Sequence, residues 1–242
     1  MNQLPIEPKL GVIIYHSNIY SIFKQRWVEK CLESIKKQSV QEYEVFELCY
    51  SAEKEQLWEN SIYEHFPMLN HIEAMNHLLD KAFMGHNCDI VFNVNLDDFY
   101  PLNRFKAQRD FLVNNPDALI CSSDFQLIHD RQDGKNNPQP RHMIFESHDH
   151  EDDYYQVKRM SALNLREELK NKHNIVCHPS VAYTKRFWEI FRYYDVKSIG
   201  KEDMVKWREV VENGVDIPII PKVLCYHRIS DKQTGRMHSS HS

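Results

Sequence analysis

Apolar runs of strand length alternate along this chain with segments of helical period, and that alternation limits the folds open to it. Lys9–Tyr15 (K-L-G-V-I-I-Y) reads as a first buried strand. Ile22, Phe23, Trp27, Val28, Cys31, Leu32 and Ile35 then recur at helical spacing as far as Gln38. Tyr43–Tyr50 reads as a second strand, Glu53–Tyr63 and Leu69–Met84 as helices, and Asp89–Val94 as a third strand. Asn103–Asn114 is expected to be helical, stopped by Asn115-Pro116. Ala118–Ser122 makes a fourth strand, and Met160–Asn171, Lys185–Tyr194 and Glu202–Asn213 further helices before a last strand at Ile217–Tyr226. Such a pattern predicts an α/β fold with a largely parallel central sheet and helices on both faces. His129–Asp153 is polar and is expected to be a long loop or lid, and 231–242 a polar tail. No internal repeat and no inner linker is visible, so residues 1–242 are expected to form one domain.

The third strand ends abruptly. Ile90-Val91-Phe92 runs into Asn95, Asp97 and Asp98, three oxygen-bearing side chains in four positions. In open α/β sheets ligands bind outside the carboxyl ends of the strands. Adjacent acids there repel one another unless a cation or hydrogen-bond donors compensate. Mg²⁺ or Mn²⁺ on a substrate diphosphate would do so, since hard cations take oxygen ligands and often use only one or two carboxylates. The same residues also suit a strand-end turn with a helix N-cap ahead of Pro101-Leu102-Asn103.

Composition removes several classes of function. The chain has six glycines and neither a G-x-G-x-x-G nor a G-x-x-x-x-G-K-[ST] sequence, so any nucleotide is held by metal and side chains rather than by a glycine cradle. A formal charge of -5 gives no electrostatic case for nucleic-acid binding. Hydrophobic content of 42% marks a folded protein, yet no apolar run reaches the length of a transmembrane segment. The first residues lack the basic and apolar regions of a signal peptide. Six cysteines without a C-x-x-C pair point to core thiols in a reducing compartment, and the expected location is cytoplasmic, peripheral at a membrane at most.

Further constellations carry chemistry of their own. Glu202-Asp203 opens a helix and reads either as capping acids or as a general base on a rigid helix start. Tyr226-His227-Arg228 follows the last strand, where Arg228 suits phosphate oxygens and His227 a metal or a phosphate. His148–Asp153 has the composition of a chelator but sits in a polar stretch and reads as a solvated loop. His178-Pro179-Ser180 lacks a nucleophile elbow.

Taken in serial order, these features resemble the family 2 glycosyltransferases, over roughly residues 9–230. Tyr15-His16-Ser17-Asn18 stands where that family has a Pro-x-x-Asn-like turn, and Asn76 matches the Asn of its next helix. Asn95-Leu96-Asp97 stands at the D-x-D metal motif, Glu202-Asp203 at the E-D motif, and Tyr226-His227-Arg228 after the closing strand. The resemblance implies a Rossmann-like GT-A fold and an inverting transfer from a UDP-, GDP- or dTDP-sugar to a glycan, lipid-linked or protein acceptor, with Mn²⁺ or Mg²⁺ as cofactor. It implies that Tyr15, His16, Asn18, Tyr50, Asn76, Asn95 and Arg228 contact the nucleotide sugar. Asp97, Asp98 and His227 would hold the metal, and Asp203 would act as base with Glu202 beside it. Two departures stand out: Asn95 replaces the first Asp of the metal motif, and Cys49-Tyr50-Ser51 replaces the acids that end the family's second strand. These departures leave open a GT-A-like domain that binds sugar nucleotide or protein without turnover. A metal-dependent nucleotidyltransferase is the third alternative.

Overall fold

The computed structural model describes residues 7–130, 148–150, 153–158, 169 and 176–229. Strand β1 (Leu10–His16) leads through a one-turn helix α1 (Ile19–Ile22) into α2 (Gln25–Lys36). Strands β2 (Glu44–Cys49) and β3 (Ile62–His65) precede α3 (His71–Asp80), which runs on into a π-helical turn at Lys81–Gly85. Next come β4 (Ile90–Asn93), α4 (Arg104–Asn114) and the long β5 (Ile120–Asp130). Strands β6 (His148–His150) and β7 (Asp153–Lys158), a 3-10 turn (His178–Ser180) and β8 (Ala182–Thr184) follow. Helices α5 (Lys185–Phe191) and α6 (Glu202–Glu212) and strand β9 (Ile219–Ile229) complete the order.

The strands form one sheet in the order β3-β2-β1-β4-β8-β5-β7-β6, with β9 added on β5. The half that ends at the acidic turn, β3-β2-β1-β4, is wholly parallel. Beyond it β8 is antiparallel to β4 and β5, and β9 returns parallel to β5. Parallel strands are buried on both faces, which explains their near-continuous apolar sequence. One face carries Ile13, Phe46 and Leu48 against α3, α5 and α6; the other carries Val12, Ile14 and Val45 against α2 and α4. Phe92 of β4 stacks on Phe105 of α4 at 4.3 Å. Each such side chain withdrawn from water contributes about 1.5–3 kcal/mol.

Two expectations need correction. Glu53–Tyr63 is not a helix but an irregular loop running into β3. Its cause is the buried carboxylate of Glu47, which accepts the N–H groups of Leu57 (2.5 Å) and Trp58 (3.0 Å) and the Ser61 hydroxyl (2.7 Å). Those contacts satisfy the N–H groups of Leu57 and Trp58 without a helix. The expected lid is strand at both ends, because β5 continues to Asp130, β7 pairs back upon it and β6 pairs on β7. The middle of that stretch, 131–147, lies outside the described residues, as does the expected helix Met160–Asn171 apart from Leu169.

Candidate active site

Strand β4 delivers the acidic turn, and four neighbours fix its shape. Asp98 N–H bonds the Asn95 carbonyl at 3.2 Å, closing the turn. The Tyr100 hydroxyl accepts the Asn95 N–H (2.9 Å) and donates to the Asn95 carbonyl (3.3 Å). From α2, Cys31 Sγ reaches the Asn95 carbonyl and Ser34 Oγ takes the Tyr100 N–H. Arg104, fully buried, donates to the Asn93 carbonyl at 2.8 Å and lies over the Tyr100 ring. This bracing comes from residues that no motif marks.

Strand β9 brings its end against the same turn. Phe99 and Tyr226 exchange backbone hydrogen bonds, and their rings stack at 4.5 Å. The Asp98 carboxylate, fully buried, accepts the Arg228 N–H at 2.7 Å and faces His227 Nδ1 at 3.1 and 3.2 Å. Arg228 donates Nε–H to the Asp97 carbonyl (3.0 Å), and its guanidinium lies 4.4 Å from the Trp27 ring centre. The resemblance makes Asp98 a metal ligand; here its carboxylate faces His227 Nδ1 and accepts the Arg228 N–H. Carboxylates commonly fix a metal-binding histidine from its far nitrogen in this way.

Charge at this spot is under-compensated. Burial and then repulsion by Asp98 push the Asp97 carboxyl up to about 7, although His227 and Arg228 oppose the shift. Burial works against charge on His227, but the Asp98 carboxylate prevails, with Cys177 and Asp97 adding to it, and raises the imidazole to about 10. Among the described residues no group of three or more His, Cys, Asp or Glu side chains is arranged to hold a metal by itself. Asp97 and His227 are the side chains here that could hold a cation shared with a phosphate-bearing ligand, His227 only with its ring proton displaced.

The other candidate residues scatter more widely. Tyr15 is the penultimate residue of β1 and donates its hydroxyl towards Met75 Sδ at 3.6 Å. His16 is buried, with Nε2 on Glu47 (3.1 Å), so it serves the Glu47 network. Asn18 adopts the left-handed conformation (φ 46) and its carbonyl starts α1 by accepting the Ser21 N–H and hydroxyl. Tyr50 follows β2 and its hydroxyl is pushed up to about 12 by burial and the nearby Cys49. Asn76 spends both ends of its amide on the Tyr194 peptide (2.8 and 2.9 Å), which makes it a clamp within the fold.

Glu202 and Asp203 open α6 as expected. Glu202 Oε1 lies 3.2 Å from His71 Nε2, while Oε2 is buried with no hydrogen-bond partner among the described residues. Burial would raise the Glu202 carboxyl, yet His71 and a backbone N–H hold it below its usual range. His178 also lies within the field of both acids, and burial lowers its imidazole despite them. His71 is a further residue that the motifs do not mark, although the Asn70-x-x-Glu73 spacing of a capping box places it at a helix start. A groove of about 590 Å³ lies apart from the acidic turn, between α3 and residues 193–196, and Asn76 and Tyr194 contribute to its wall.

No protein-family model and no curated protein matches the sequence. The fold, however, matches solved structures. S. aureus TarS 1–349 superposes with a TM-score of 0.62 at 16% identity, over 91% of this chain and 60% of that one. The same region in complex with UDP-GlcNAc gives 0.62 at 16% identity, over 94% and 60%. The mannosyltransferase PcManGT from Pyrobaculum calidifontis, in complex with GDP-Man and Mn²⁺, gives 0.59 at 13% identity, over 96% and 61%. The chain thus spans about 60% of the length of these neighbours. The shared feature is a GT-A-like glycosyltransferase fold.

Proposed function

We propose that this chain is an inverting glycosyltransferase that takes a sugar from a nucleotide-diphosphate donor. The observation that carries the reading is the acidic turn at the end of β4, tied through Asp98 to His227 and Arg228 of β9 in a sheet of GT-A-like form. Neighbours of that form were solved with UDP-GlcNAc and with GDP-Man and Mn²⁺, which supports a sugar nucleotide as ligand here. Asp97 and His227 would hold Mn²⁺ or Mg²⁺, with Asp98 orienting His227. The cation, when bound, neutralises charge on the diphosphate leaving group. Arg228 keeps the turn in place through the Asp97 carbonyl. Asp203 accepts the proton of the attacking acceptor hydroxyl, with Glu202 as its fixed neighbour. One displacement needs no covalent nucleophile, so the chemistry asks for a carboxylate base and a stabilised leaving group and nothing more. The acceptor is a hydroxyl of a glycan, a lipid-linked sugar or a protein.

Incubation with a panel of UDP-, GDP- and dTDP-sugars and Mn²⁺, with nucleotide release as readout, tests this. Wild type should release nucleotide from one donor class. Asp203→Asn should lose transfer by at least a hundredfold and keep donor binding. Asp97→Ala should weaken the Mn²⁺-dependent part of donor binding, measured by calorimetry. Absence of both release and donor-induced thermal stabilisation would sink the enzyme reading. Asn95 in place of an acid favours a second reading, a domain that binds sugar nucleotide without turnover; binding with no release from any donor would select it.

A further inference from the structure

Helix α3 meets the segment that leads into the carboxylate pair at three points. His71 Nε2 lies 3.2 Å from Glu202 Oε1, across 131 residues of chain. Asn76 clamps both sides of the Tyr194 peptide, and Asp80 accepts the Trp188 indole N–H at 3.2 Å. The helix itself starts from a fixed point. Asn70 accepts the N–H groups of Ile72 and Glu73 at 2.9 and 3.0 Å, and Glu73 accepts the Asn70 N–H at 2.8 Å. The same helix carries Met75, which takes the hydroxyl of Tyr15 at the end of β1. One rigid rod therefore touches the end of the first strand and the first turn of α6.

We propose that His71 is a positioning residue: by holding Glu202 it sets the first turn of α6, and with it Asp203, at a fixed distance from the end of β1. The inference rests on the transfer reaction proposed above. His71 and Glu202 have side-chain exposures of 20% and 14%, so their hydrogen bond is shielded from water, unlike a surface ion pair. Glu202 stays ionised and so accepts, which leaves His71 Nε2 as the donor. A catalytic base displaced by about 1 Å loses about a hundredfold in rate, so a contact that only fixes a helix start has a kinetic signature.

Four variants test it: His71→Ala, His71→Gln, Glu202→Ala and the double variant His71→Ala/Glu202→Ala. They are assayed with UDP-GlcNAc or GDP-Man and Mn²⁺, and by amide hydrogen exchange without ligand. His71→Ala should lower kcat about tenfold or more while the donor KM stays within about twofold. His71→Gln, which can donate from a similar position, should recover most of the loss. The double variant should be no slower than Glu202→Ala alone, because His71 acts through Glu202. Amide exchange at Asp203–Lys206 should be severalfold faster in His71→Ala and unchanged in His71→Gln. Multiplying kinetic losses, a raised donor KM in place of a lowered kcat, or unchanged exchange in His71→Ala would overturn the assignment. If no sugar nucleotide is bound or turned over, the transfer reading falls, and the exchange result alone decides whether His71 positions α6.

Discussion

Asp98 separates what a motif says from what a side chain does. As the second of two adjacent acids it reads as a metal ligand, and here its oxygens face β9. The carboxylate is fully buried and receives the Arg228 N–H together with His227 Nδ1. Asp98→Ala would leave a buried N–H and a charged ring without their acceptor, so we expect a loss of about 2–4 kcal/mol, read from denaturant unfolding. Asp97→Ala, which lifts an under-compensated buried charge, should cost far less stability. The order of those two losses distinguishes anchor from ligand. Asp97, Asp98, His227 and Arg228 stand out in the sequence because all four lie at or just past strand ends. Tyr100, Arg104 and His71 do not, because a buried tyrosine, arginine or histidine is defined by what it touches across the chain. Arg104 looks like an ordinary helical surface residue until Asn93 and Tyr100 are seen beneath it.

Among the elements, the strands with apolar residues on both faces were legible and the short or polar ones were not. β1, β2, β4, β5 and β9 each begin or end within a few residues of the expected place, apart from the far end of β5. β8, three residues between a proline-containing turn and α5, is too short for any period to show, yet it joins the two halves of the sheet. β3 was hidden because the apolar spacing in Glu53–Tyr63 mimics a helix, while a single buried Glu47 decides otherwise. Central β1 has little room for change at Gly11. A Cβ on Gly11 would stand 3.1 Å from Cys88 Sγ and 3.1 Å from the Phe46 ring. Gly11→Ala should therefore cost about 1–3 kcal/mol by overpacking, seen as a lowered Tm without loss of α/β circular dichroism.

For the molecule as a whole, buried titratable groups make stability depend on pH. Burial holds His178 below its ordinary value of 6.5, so the unfolded chain binds its proton more readily than the folded one. The stability it confers is complete above about 6.5 and is lost as pH falls through the folded value. The Tm of wild type should drop more steeply below pH 6.5 than that of His178→Gln; parallel curves would refute the contribution. Long-range pairing has a different consequence, in the order of assembly. β5 takes Phe125–His129 into register with Cys225–Ile229, and Asp98 meets His227 across 129 residues. During synthesis the parallel half, β3-β2-β1-β4, is complete long before β9 emerges. A nascent chain therefore carries Asp97 and Asp98 without their partners, and the turn gains the opposing charges of His227 and Arg228 only when β9 docks.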